Sequence, residues 1–183
     1  MLETLVSHAQ TLPNYDVDHW KPDLISDIGL KILADGVWMH QGQPITKAKI
    51  MQLFGRLLRR QTNGDYWLVT PTEAFVVEVE DLPFIAVAAD LLDQKNGHET
   101  LPAWRFTSNC GDLVWLDQNL QLRVTTDKNG QPKPEIELRA GLWARINRNV
   151  FYQLALACEC VDIQGESRAQ LTSANFTYDL GAV

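Results

Sequence analysis

The sequence predicts an α+β protein made of two related α+β units, the C-terminal one a β-meander plus helix. Three observations carry this prediction. Short apolar runs alternate with polar residues and are separated by Asn, Asp and Gly clusters, the chemistry of strands and turns. Residues 46–60 place apolar side chains at helical spacing. A pattern of strand, glycine, tryptophan, strand and amphipathic helix occurs twice, at 32–60 and again at 138–160.

Along the chain, Leu2 to Leu12 reads as a short helix stopped by Pro13, and Pro13 to Pro22 as a polar lead-in. Leu30 to Ala34 and Val37 to His40 read as strands around an Asp35-Gly36 turn. Thr46 is the expected N-cap of a helix running to Arg60, with Ile50, Leu53, Phe54, Leu57 and Leu58 on its apolar stripe. After Asn63-Gly64, Tyr66 to Thr70 and Phe75 to Val79 read as strands bounded by Pro71 and Pro83.

The second half is richer in strands. Trp104 to Thr107, Leu113 to Leu116 and Leu122 to Thr126 are separated by turn residues, and Lys128-Asn129-Gly130 signals a hairpin. Glu135 to Arg145 reads as one further strand and Asn147 to Cys160 as a helix, with Val161 to Ile163 and Asn175 to Tyr178 as a final pair of strands.

The bulk chemistry narrows the function classes. The 183 residues, 45% hydrophobic and 21% charged, suffice to bury a core. A formal net charge of -7 argues against a nucleic-acid binder. Three cysteines, Cys110, Cys158 and Cys160, form no disulfide framework and, with four scattered histidines, no metal-ligand spacing. Neither a signal peptide nor a membrane-spanning run is seen, so a cytoplasmic location is expected. Phosphate-loop, dinucleotide, zinc-protease and nucleophile-elbow motifs are absent, which leans the reading away from an enzyme and names no catalytic residue, cofactor or metal.

Several residues remain notable. Cys110 reads as a plain turn residue, since no histidine is near it to activate a thiolate. Lys47, Lys49, Arg56, Arg59 and Arg60 give the first helix a basic face, read as solvated and helped by the helix dipole rather than as an anion site. Arg139, Arg145 and Arg148 are expected to pair internally with acids such as Glu73, Glu78, Glu80 and Asp81. Trp38, Trp67, Trp104, Trp115 and Trp143 fall on predicted strands and read as core.

These pieces resemble a bacterial family known as domain of unknown function 1285. The matching stretches are His19-Trp20-Lys21-Pro22, Asp35-Gly36-Val37-Trp38, Gly42-Gln43-Pro44-Ile45, Leu53-Phe54 and Leu58-Arg59-Arg60. They continue with Tyr66 to Pro71 plus Glu73, Asp81-Leu82-Pro83-Phe84, Arg105 to Asn109, and Arg139 to Ala144 with Arg148 and Tyr152. The tail from Leu171 to Leu180 departs from the family pattern, which leaves the last hairpin open.

The resemblance implies a duplicated α+β core with a pleckstrin-homology-like second domain. It divides the chain into a lead-in (1–22), an N-terminal unit (23–82) and a C-terminal domain (83–183). It further implies a non-enzymatic role in bacterial signalling. A small anionic ligand, nucleotide-derived, would occupy a cleft between the domains. Arg105, Arg139 and Arg148 would hold it, Trp38 or Trp143 would stack on it, and Thr70 and Glu73 would contact its hydroxyls. A protein-interaction adaptor is the alternative, and an uncharacterised enzyme the less favoured third reading.

Overall fold

The computed structural model describes Val6 and residues 15–97, 99–163 and 165–182. Apart from Val6, which is helical, the helix expected over Leu2 to Leu12 lies outside the described residues. The chain divides into two compact units, Met1–Pro83 and Phe84–Val183. Strands dominate both: besides Val6, the described residues of each unit hold one helix of nine or ten residues against six or more strands.

The first unit runs β1 (Leu24–Ile32), β2 (Trp38–His40), β3 (Gln43–Pro44), α1 (Ala48–Leu57), β4 (Leu58–Arg60), β5 (Tyr66–Val69) and β6 (Glu73–Val79). Its sheet has the order β3-β2-β1-β6-β5-β4, with β1 and β6 parallel at the centre and the other neighbours antiparallel. Ile28, Leu30 and Ile32 alternate inward along β1, as a half-buried strand requires. The register of β1 against β6 shifts between Ser26 and Leu30. Gly29 lies at that irregularity with φ +72°, and a Cβ there would meet Gln41 at 3.4 Å.

Helix α1 covers the core with Leu53, Phe54 and Leu57, and the Phe54 ring meets Trp38 at 5.6 Å. It is shorter than expected at both ends. Lys47, not Thr46, is its N-cap, with no side-chain cap bond. Leu58 turns extended at φ -70° and ψ 132°, and Leu58, Arg59 and Arg60 pair with Leu68, Trp67 and Tyr66. Strand pairing overrides helical propensity here. Arg59 and Arg60 are therefore strand residues, and the dipole argument holds only for Arg56.

The second unit runs β7 (Phe84–Asn96), β8 (Glu99–Ser108), β9 (Leu113–Trp115), β10 (Leu122–Thr126), β11 (Pro132–Arg139), β12 (Leu142–Ile146), α2 (Arg148–Leu156), β13 (Glu159–Ile163), β14 (Glu166–Ser173) and β15 (Phe176–Ala182). One sheet has the order β10-β11-β12-β7-β8-β9, with β12 and β7 parallel; the other is β13-β14-β15. Strand β7 has no counterpart in the expected elements. The strand expected over Glu135 to Arg145 is two strands, broken by Ala140 (φ 42°) and Gly141 (φ 74°) in a two-residue hairpin turn. The second helix ends at Leu156 rather than Cys160, and the tail forms three strands rather than two. Asn147 caps α2 by accepting the Val150 N–H at 2.8 Å.

Numbering strands from the first in each unit, both six-stranded sheets follow one path: 3-2-1-6-5-4, with strands one and six parallel. The sequence echo does not map onto this repeat. It aligns the hairpin between strands one and two of the first unit with that between strands five and six of the second. The helices differ as well, lying between strands three and four in one unit and after strand six in the other.

The three-stranded sheet is tied to its neighbour by a buried hydroxyl. Ser173 Oγ accepts the Trp104 N–H at 2.8 Å and donates to the Leu116 carbonyl at 2.6 Å. Tyr178 donates to the Asp117 carbonyl at 2.6 Å, and Ala174 N–H to Pro102 at 2.9 Å. Ser173→Ala leaves two buried backbone groups without this partner, and a loss of about 2 kcal/mol is expected. Urea unfolding checks it: the midpoint should fall at constant m-value, and an unchanged midpoint contradicts the assignment.

Candidate functional site

The polar centre of the second unit is a row of charges across three strands. Register places Glu135 of β11 opposite Arg123 of β10 on one side and Arg145 of β12 on the other. Arg123 donates to Glu135 Oε2 from Nε at 3.0 Å and Nη2 at 2.8 Å, while Arg145 Nη1 donates to Oε1 at 3.0 Å. Thr125 Oγ1 donates to Oε1 at 3.2 Å. The Glu135 side chain is only 7% exposed. Burial pushes its pKa up, but the two guanidinium bonds outweigh this and hold it below the ordinary glutamate value. Arg123 also lies over the Trp143 ring at 3.9 Å, a cation–π contact that covers the indole.

Arg145 reaches from this row into a cavity of about 280 Å³. Lys133 and two prolines at the start of β11 form one wall, and Arg148, Phe151 and Tyr152 of α2 form another. Three cations and two aromatic rings line it, with no carboxylate on the wall. Arg148 Nε donates to the Tyr152 hydroxyl at 2.9 Å, which orients the guanidinium along the helix. Such a concave site is suited to an anion with an apolar or planar body.

Of the seven residues named from the sequence, Arg148 lines this cavity. Arg139 is the last residue of β11, about 17 Å from the cavity-lining Pro134 by strand rise. There it pairs with Asp112 at 3.3 Å and lies over Phe84 at 5.8 Å. Arg105 on β8 is 4.0 Å from Asp90 and 5.6 Å from the Trp115 ring. The three arginines therefore do not converge. Trp143 is buried beneath Arg123, and Trp38 has no exposed surface. Thr70 Oγ1 donates to the Glu73 carbonyl and accepts its N–H, both at 3.0 Å, closing the β5–β6 turn.

Two of the expected acidic partners are used elsewhere. Glu78 and Glu80 each bind Lys31 at 2.9 Å, while Arg139 binds Asp112 and Arg145 binds Glu135. Cys110 is a buried turn residue whose N–H donates to Ser108 Oγ at 3.1 Å. All five tryptophans expected on strands lie on them; Trp38, Trp104 and Trp143 are buried, and Trp67 and Trp115 half-buried. Sequence reasoning missed Lys133, Phe151 and Tyr152 as cavity residues. The one available signal was the basic and proline-flanked run Gln131-Pro132-Lys133-Pro134 placed shortly before an aromatic helix.

The chain belongs to the DUF1285 family. Residues 15–82 match the "Domain of unknown function (DUF1285), N-terminal domain", and residues 83–180 the "Protein of unknown function (DUF1285), C-terminal domain". It is similar to the crystal structure of a DUF1285 family protein from Silicibacter pomeroyi DSS-3, with 31% identity, a TM-score of 0.81, and 98% of this chain and 95% of that chain covered. It is also similar to that of a DUF1285 family protein from Shewanella baltica OS155, with 26% identity, a TM-score of 0.53, and 68% and 88% covered. No curated protein matches the chain. Among the described residues, no helix is long and apolar enough to cross a membrane.

The Glu135 row yields a pH prediction. Its folded pKa is lowered, so its stabilisation is fully present above the unfolded glutamate pKa and is lost as pH falls through the folded value. Glu135→Gln should cost about 2 kcal/mol at neutral pH. In urea titrations the gap between variant and wild type should close in acid. A gap that stays constant from neutral pH to pH 3 contradicts the charge assignment.

Proposed function

We propose that the chain is a non-enzymatic binding module whose second unit takes a small, anionic, nucleotide-derived ligand, with a signalling role as the consequence of that binding. The observation that carries this reading is the cavity wall of Lys133, Arg145, Arg148, Phe151 and Tyr152. A phosphate fits the cations, and a planar or apolar group fits the rings. Arg148 serves as the mobile contact, since its partner is a hydroxyl and no carboxylate pairs with it among the described residues. Arg145 is held in place from behind by Glu135.

The reading of this unit as pleckstrin-homology-like belongs to the same proposal. Its support is two three-stranded meanders, β7–β9 and β10–β12, joined through the parallel β7–β12 pair and followed directly by the unit's one described helix. A second reading, the protein-interaction adaptor, rests on β13. This strand is the edge of its sheet and all five of its residues are exposed, which suits pairing with an extended peptide.

Thermal unfolding against nucleoside phosphates, cyclic nucleotides and inorganic phosphate tests the first reading. A ligand at one hundred times its Kd adds about 2.7 kcal/mol, a shift of several degrees. Arg148→Ala, exposed and therefore expected to fold, should weaken binding about tenfold or more. A flat panel at millimolar ligand, or wild-type affinity in Arg148→Ala, overturns the assignment.

A further inference from the structure

The first unit holds its own cavity, of about 480 Å³, at the end of β4. It opens at the hairpin joining strands four and five of that unit. The second-unit cavity opens at the hairpin joining strands four and five of its own sheet. Its walls have the same two ingredients. Trp20 and Trp67 supply aromatic surface, and Lys21, Arg59 and Arg60 supply positive charge.

This is a built site. Arg59 stands opposite Trp67 in the β4–β5 register. Its Nη1 donates to the Val17 and Trp20 carbonyls, both at 2.8 Å, clamping the lead-in segment against β4. Val17 is buried beneath that clamp. The segment thereby completes the wall, and Lys21 and Arg60 stay exposed with no acidic partner among the described residues. Gln61 is anchored at the β4–β5 hairpin. Its backbone is fixed by bonds to Asp65 at 2.7 Å and from Gly64 at 3.0 Å. Its side-chain Nε2 is nevertheless buried without a hydrogen-bond partner, and Gln61 lines the cavity.

We propose that this cavity is a second, independent binding site, for a nucleoside phosphate. The base stacks against the indole surface of Trp20 and Trp67, as bases do on aromatic platforms. Lys21 and Arg60 hold the phosphate. Asp18, the carboxylate of the wall, suits a ribose hydroxyl. The volume lies in the range of small-ligand pockets. A free mononucleotide is preferred over a polynucleotide, because the chain's net charge of -7 repels an extended phosphate backbone.

The test is a calorimetric and tryptophan-fluorescence titration of the full chain carrying Arg148→Ala, in which the second-unit site is weakened about tenfold or more and its remaining contribution is unchanged by the first-unit variants. AMP and GMP are the probes, with adenosine and inorganic phosphate as controls. The nucleotides should bind submillimolar and quench fluorescence, and each control should bind at least tenfold more weakly. Lys21→Ala with Arg60→Ala, both exposed and expected to fold, should weaken AMP about tenfold or more. Trp67→Phe should weaken it about fivefold. The site is overturned if phosphate binds as well as AMP, if neither nucleotide binds at millimolar concentration, or if the double charge variant binds like its parent.

Discussion

A carboxylate buried on the middle strand of three, with an arginine on each flank, organises the second unit. Glu135 is acceptable in its position because Arg123 and Arg145 and a threonine hydroxyl satisfy both of its oxygens. The same bonds fix the registers of β10 and β12 against β11, since one residue of slippage turns Glu135 to the opposite face and away from both cations. They also fix the cavity. Arg145 belongs at once to the row and to the wall, so the core pairing fixes the position of that side of the cavity. Arg123 is placed for a further task, covering Trp143.

The two units solve one topological problem in the same way. In each, the first and sixth strands are parallel neighbours at the sheet centre, so the chain must leave by one edge and return by the other. That journey passes through strands four and five at an outer edge, and their hairpin is left open on one side. Each unit covers that opening with a different piece of chain: α2 in the second, the clamped lead-in in the first. In both cases the cover supplies an aromatic ring and a cation, Trp20 and Lys21 in the first unit and Tyr152 and Arg148 in the second, and the hairpin adds Arg60 or Lys133. A common sheet path thus produces chemically similar cavities from unrelated covering segments.

The strands were legible wherever turn chemistry bounded them. Asp35-Gly36, Asn63-Gly64 and Asn129-Gly130 each close a hairpin. Where the turn residue is atypical, the reading fails: Ala140 adopts positive φ without the side chain that usually announces it, so two strands read as one. Strand β7 is rich in alanine, which carries weak β preference, and its far half is exposed, so no alternation marks it. The end of α1 was illegible for a different reason. Leu58-Arg59-Arg60 is helix-compatible, and only its pairing with Tyr66 to Leu68 makes it a strand. The candidate site was less legible than the fold. Arginines were visible as arginines, but whether Arg139 and Arg148 converge depends on the β11–β12 turn that the sequence concealed.

That misplacement explains why motif matching alone selects the wrong cations. Arg105 and Arg139 stand in stretches that resemble the family pattern, yet each is engaged by a carboxylate and an aromatic ring of its own sheet. A guanidinium so paired must first give up its protein partner before it can hold a ligand, and the exchange gains little. A cation oriented by a neutral group, as Arg148 is by Tyr152, keeps its full attraction for an anion. By that criterion Arg148 in one unit and Lys21 and Arg60 in the other are the groups fitted to bind. In an acidic chain whose Arg105, Arg123, Arg139, Arg145 and Arg168 are paired with carboxylates, these few cations beside aromatic walls are the ones left with attraction to offer an anion.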